Sequence, residues 1–138
     1  MNFEKSRIYP GIPEYFGAGG RGLYHYLTGA ASWYLLTVIT EMFGVKGYFG
    51  NLVLTPKLVP GQFDKEERAK LTLFFAGKRL RVTYEKKEPL EENYNRISEV
   101  KLDGTVLQQV SRKKAEIDRS VIEALSDGEV HEISVTLE

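Results

Sequence analysis

The sequence predicts a mostly β protein with one long N-terminal helix, its strands forming an antiparallel, jelly-roll-like β-sandwich. Three observations carry this. From about residue 51 onward, short runs alternate apolar and polar residues and are separated by turn signals. Ala30 to Phe43 is a single apolar-rich run without glycine or proline. The first fifty or so residues hold most of the 13 glycines, the only tryptophan and most of the aromatic residues. The chain therefore divides into residues 1–50, a loop-and-helix segment, and residues 51–138, the sandwich.

The first segment opens on Tyr9-Pro10-Gly11-Ile12-Pro13-Glu14-Tyr15-Phe16, followed by glycines at 17, 19, 20 and 22. Proline removes a donor and fixes φ, and glycine favours neither helix nor strand, so this stretch is a loop. Thr28 stands where an N-cap is needed, the helix runs from Ala30 to Phe43, and Gly44 suits a left-handed C-terminal cap. Apolar side chains cover almost the whole circumference of this helix. A surface helix of a small domain needs a polar face, so this one requires cover from a partner chain or a larger protein.

The strands follow in order. Leu52 to Leu54 and Lys57 to Val59 flank Pro56. Leu71 to Phe75 and Leu80 to Tyr84 form a hairpin through Ala76-Gly77-Lys78-Arg79. Ile97 to Leu102 and Val106 to Val110 pair across Asp103-Gly104, a strong hairpin signal. Lys113 to Ile117 is a short strand, and Asp118 caps a short helix, Arg119 to Leu125. Val130 to Leu137 alternates, with Ile133, Val135 and Leu137 on one face.

Composition excludes several classes. The 138 residues carry 19 basic and 19 acidic side chains, so no long-range field gathers nucleic acid or an anionic membrane. There is no cysteine, hence no disulfide framework, thiolate nucleophile or Cys-ligated metal. No secretory h-region opens the chain, and the apolar run is too short to span a bilayer, so a cytoplasmic location is expected. His25 and His131 lack metal-ligand spacing, and His131 reads as a surface strand residue. The basic groups Lys78-Arg79-Arg81 and Arg112-Lys113-Lys114 read as solvated faces. The glycine-rich Gly17 to Gly22 has no preceding strand and no P-loop lysine.

The best candidate for chemistry is the helix start Thr28-Gly29. A helix N-terminus offers unpaired N–H groups and a positive dipole end, Gly29 allows close approach of an anion, and Thr28 adds a hydroxyl. Local pattern alone fits a plain cap at least as well. Tyr15 and neighbouring rings could stack on sugars, with Glu14, Arg21 and His25 bonding hydroxyls, or they could fill a core. Glu14 has no second carboxylate at a readable spacing, so no catalytic residue is assigned.

Ile8 to Phe16, Gly20 to Tyr34, Phe43 to Gly47 and Leu52 to Leu58 together resemble the C-terminal region of glycoside hydrolase family 94, the cellobiose phosphorylase-like enzymes. The resemblance is most specific over residues 8–58 and looser to the end. It implies the last segment of a helical (α/α) barrel followed by the C-terminal β-sandwich. It also implies an inverting phosphorolysis of β-linked glucosides, with inorganic phosphate as co-substrate and no other cofactor. On this resemblance Thr28 and Gly29 fall on a Thr-Gly pair that helps hold the phosphate, while the catalytic acid belongs to an upstream barrel. The family's glutamine has no counterpart near Gly11. The chain alone is then expected to be inactive. The partners implied are a β-glucoside or oligosaccharide and a catalytic barrel, of the same or a separate chain. A homodimer or a non-catalytic carbohydrate-binding or structural sandwich is the alternative.

Overall fold

The structure is a computed structural model and describes residues 3–7, 13, 15–23, 29–87, 96–108 and 110–138. It divides into two compact units, Met1–Val38 and Ile39–Glu138.

In the first unit, α1 (Phe3–Ser6) precedes a small hairpin of β1 (Tyr15–Phe16) and β2 (Gly22–Leu23), paired Tyr15 with Leu23 and Phe16 with Gly22. A 3-10 turn over Ala18–Gly20 joins them. The Gly17 N–H donates to the Arg21 carbonyl at 2.7 Å. Helix α2 (Gly29–Thr37) follows. The expected single long α-helix is not observed. After nine α-helical residues the chain passes into a π-helical turn, Val38–Met42. The change coincides with Thr37-Val38-Ile39-Thr40, four β-branched residues whose stiff χ1 angles crowd the preceding turn.

The second unit is a two-sheet β-sandwich. One sheet has the order β3 (Val45–Tyr48), β4 (Asn51–Leu54), β10 (Lys114–Ile117), β9 (Val110–Ser111). The other has the order β5 (Arg68–Phe75), β6 (Lys78–Lys86), β11 (Val130–Leu137), β7 (Ile97–Leu102), β8 (Thr105–Val106). A short helix, α3 (Arg119–Glu123), lies between β10 and β11. Leu52, Leu54, Ala115 and Ile117 from the first sheet join Leu80, Val82, Tyr84, Ile133, Val135 and Leu137 from the second in one buried cluster. Burial alternates along β11 as its period-two pattern requires.

Pairing is antiparallel except between β6 and β11, which run parallel over the length of β11. The strand that comes after all the others thus fills the gap between β6 and β7, and the five-stranded sheet is not the all-antiparallel one expected. A register shift between Thr136 and Leu137 pairs Glu99 with Thr136 but Ile97 with Leu137. Ser98 is left over as a bulge residue, so both Ile97 and Val100 face the core.

Three two-residue hairpin turns place both central residues at positive φ: Ala76 and Gly77, Asp103 and Gly104, and Phe49 and Gly50. This is the type I′ geometry whose twist matches the flanking strands. Other differences are local. Lys57 to Val59 is not a strand; the Lys57 N–H donates to the Met42 carbonyl. The expected strand Val106 to Val110 is two pieces, because β8 belongs to the five-stranded sheet and β9 to the four-stranded one. Asp118 precedes α3 without a side-chain capping bond. That role falls to Asn51, whose Oδ1 accepts the Arg119 N–H at 3.0 Å from a distant strand.

Gly44 lies at φ +68°, as a left-handed cap requires. Its carbonyl accepts the Thr55 N–H at 2.9 Å. Beside it, the Phe43 carbonyl accepts a hydrogen bond from the buried Tyr84 hydroxyl at 2.6 Å. Burial pushes the Tyr84 pKa up, which keeps the hydroxyl protonated as a donor. Glu41 is bonded to Lys57 at 3.2 Å and Lys46 at 3.3 Å, and these two ammonium groups hold its carboxyl below the usual range.

Candidate functional site

The helix start expected to carry chemistry begins at Gly29, whose surface is exposed. The N-terminal end of an α-helix carries the positive end of its dipole, which favours an anion at this position. Thr28, Glu14 and His25 lie outside the described residues, as do Tyr9, Tyr24 and Tyr26. Tyr15 and Arg21 are described, and the structure places both on the β1–β2 hairpin. Tyr15 is 64% exposed, and Arg21 is exposed beside the first residue of β2. Phe16 is also exposed, so these two rings present surface rather than filling a core.

No residue of α2 is buried. Trp33 is 73% exposed, and Tyr34, Leu35 and Leu36 are exposed with it. The helix carries no charged residue. It is mostly apolar and largely exposed.

A second cluster was not legible in the sequence. His131 is buried, 5% exposed, and is not the surface residue expected. Its Nδ1 lies 2.6 Å from Asp103 Oδ2, and its Nε2 lies 3.0 Å from the Ser126 carbonyl and 3.5 Å from Ser126 Oγ. A serine, a histidine and an aspartate in this order suggest a nucleophilic triad, but the bonding argues otherwise. A carbonyl can only accept, so Nε2 carries a proton; the carboxylate takes a proton from Nδ1. The Ser126 carbonyl first and the Asp103 carboxylate second raise the His131 pKa, favouring an imidazolium that cannot act as a base. Ser126 Oγ meanwhile donates to Glu129 at 2.9 Å. Asp103 Oδ1 accepts the Glu132 N–H at 2.8 Å. The group is a latch that ties the β7–β8 turn to β11.

The outer face of the five-stranded sheet carries Arg68, Lys70, Arg81, Glu85 and Glu132. Its charges are mixed: Arg81 lies 3.7 Å from Glu132, and the Thr83 hydroxyl bonds Glu132. Lys78, expected on a solvated face, is instead drawn in to the Leu125 carbonyl and to Asp127. Among the described residues no three His, Asp or Glu side chains are grouped to hold a metal ion. No helix among them is long and apolar enough to cross a membrane.

No family model matches the chain, and no curated protein matches its sequence.

The geometry therefore offers two contrasting sites. The His131 cluster is closed and fully bonded, which suits a structural role. The α2 start and the β1–β2 hairpin are open, with Gly29, Arg21 and the Tyr15 and Phe16 rings exposed.

Proposed function

We propose that this chain is the C-terminal portion of an inverting glycoside phosphorylase. In this reading the enzyme cleaves a β-linked glucoside with inorganic phosphate and releases a sugar 1-phosphate. The observation that carries the proposal is the uncovered α2. A charge-free helix with no buried residue is costly in water, at about 25 cal/mol for each Å² of apolar surface left wet. Such a helix fits inside a ring of other helices, as the final helix of an (α/α) barrel. The jelly-roll-like sandwich after it would then be the domain that closes the enzyme.

Within that assembly Gly29 and Thr28 would hold part of the phosphate. The Gly29 backbone admits a phosphate oxygen, the first-turn N–H groups donate to it, and the dipole favours its charge. Tyr15 and Arg21 lie on the hairpin that precedes this helix in sequence and would meet the sugar. The catalytic acid would come from the barrel, and the chain alone would be inactive.

The test is a phosphorolysis assay on a polypeptide continuous with the reading frame upstream of Met1. Cellobiose and phosphate should release glucose 1-phosphate there, and the 138-residue chain alone should release none. Thr28→Val should raise the KM for phosphate about tenfold, the loss of one hydrogen bond to a charged group. Activity of the chain by itself, or an unchanged KM for phosphate, would refute the assignment.

A further inference from the structure

The turn between β3 and β4 is unusual in its chemistry. Type I′ turns favour Asn, Asp or Gly at the first central position, yet this one uses Phe49 at φ +48°. A bulky side chain at positive φ is a conformational outlier that costs energy. Phe49 gains little in packing to offset it, being 91% exposed. Its only ring contact among the described residues is an edge-on pairing with Tyr48, centroids 4.6 Å apart. A strained and fully displayed ring is explicable if something outside the chain covers it.

The surroundings say what. Tyr48, Asn51, Lys114 and Glu116 lie on the outer face of the four-stranded sheet, opposite the face of Leu52, Leu54 and Ile117. The Lys114 ammonium sits over the Tyr48 ring, 5.5 Å from its centroid. Lys114 also lines an open surface depression of about 360 Å³ with Gln108, Val110, Ser111 and Glu116. Glu116 is positioned by the Asn51 amide at 2.8 Å and by Lys114 at 2.6 Å. Asn51 first and Lys114 second hold its carboxyl below the usual range, so it stays an acceptor.

A ligand that fits must satisfy three conditions. It must donate hydrogen bonds to Glu116, accept them from Lys114, and offer an apolar face to Phe49. A phosphate-bearing polymer fails the first, since the carboxylate repels it. A purely apolar partner fails both polar conditions. A pyranose ring meets all three, with hydroxyls that donate and accept around its edge and C–H groups on its face.

We propose that the outer face of the four-stranded sheet binds a neutral oligosaccharide, with Phe49 and Tyr48 stacking on its rings and Lys114, Glu116 and Ser111 bonding its hydroxyls. This surface belongs to the sandwich and does not depend on the phosphorylase reading.

The test uses the full chain and amide NMR titration with cellotetraose, laminaritetraose, maltotetraose and inorganic phosphate. At least one tetrasaccharide should bind with millimolar or tighter affinity and shift the amides of Phe49, Gly50, Ser111 and Glu116. Phosphate should leave those amides unmoved. Phe49→Asn suits the turn and should fold with a higher Tm, while its affinity for the sugar falls at least about tenfold. Phe74→Ser, at an exposed ring on the other sheet, should bind as the parent does. No binding at millimolar sugar, undiminished binding by Phe49→Asn, or shifts confined to residues 15–23 would each overturn the proposal. Absence of phosphorolysis by the longer polypeptide, with these shifts present, would refute only the phosphorylase reading.

Discussion

Replacing Gly44 by alanine should be among the most damaging single changes in the sandwich. A Cβ at this position would lie 2.0 Å from the Thr55 carbonyl oxygen, 2.2 Å from its carbon and 2.7 Å from the Pro56 nitrogen. Ordinary carbon contacts are about 3.5 Å, so the two backbones must part by more than an ångström. That separation breaks the 2.9 Å bond from the Thr55 N–H to the Gly44 carbonyl. The lost bond costs about 1–3 kcal/mol, and the positive φ, +68°, adds about 1–2 kcal/mol for a residue bearing a Cβ. Displaced packing brings the total to about 4 kcal/mol, a large part of the 5–15 kcal/mol that holds a typical domain. Gly77 is the control: its φ is +79°, and a Cβ there meets nothing within 4 Å. Gly77→Ala should therefore cost only the conformational term, about 1 kcal/mol. Urea unfolding followed by far-UV circular dichroism measures both. Costs within about 1 kcal/mol of each other would refute the steric argument, because only the clash distinguishes the two sites.

Two further outcomes follow from the bonding. Tyr84→Phe should destabilise the sandwich by about 1–2 kcal/mol, since the part-buried Phe43 carbonyl loses its donor; a thermal or urea midpoint equal to the parent's would contradict that. Asp103→Asn keeps a residue suited to the turn but removes the charge from the His131 latch. Because the folded His131 pKa is raised, its stabilisation is complete below the free value of about 6.5 and is lost as pH climbs through the folded value. The Tm gap between parent and Asp103→Asn should accordingly be widest near pH 6 and shrink toward pH 9; a gap that grows with pH would reverse the assigned sign.

Much of the sandwich was legible because its signals are local. Val100 to Leu102 and Ile133 to Leu137 alternate apolar with polar residues, and Asp103-Gly104 states its turn type in two residues. The β3–β4 hairpin was not read, because a phenylalanine at its turn contradicts the residue preference that reveals such turns. Lys57 to Val59 looked like a strand from its residues, but among the described residues it joins no sheet, and its Lys57 N–H goes to the Met42 carbonyl. Pairing partners are non-local, and so is the parallel match of β6 with β11. The His131 latch was hidden for the same reason, since Asp103 and Ser126 come to it from separate turns. Of the open site, the sequence revealed the helix start at Gly29 and the greasy character of α2, both local. The length of that α-helix was overread, because apolar character does not report the crowding of consecutive β-branched residues.

The position of β11 bears on how the chain is made. During synthesis β6 and β7 leave the ribosome long before the strand that separates them. Until Leu137 clears the exit tunnel, each offers a bare row of N–H and C=O groups to any passing extended peptide. Folding of this unit must then wait for β11 in its decisive step, and nascent chains stalled before Val130 should be the species that chaperones hold.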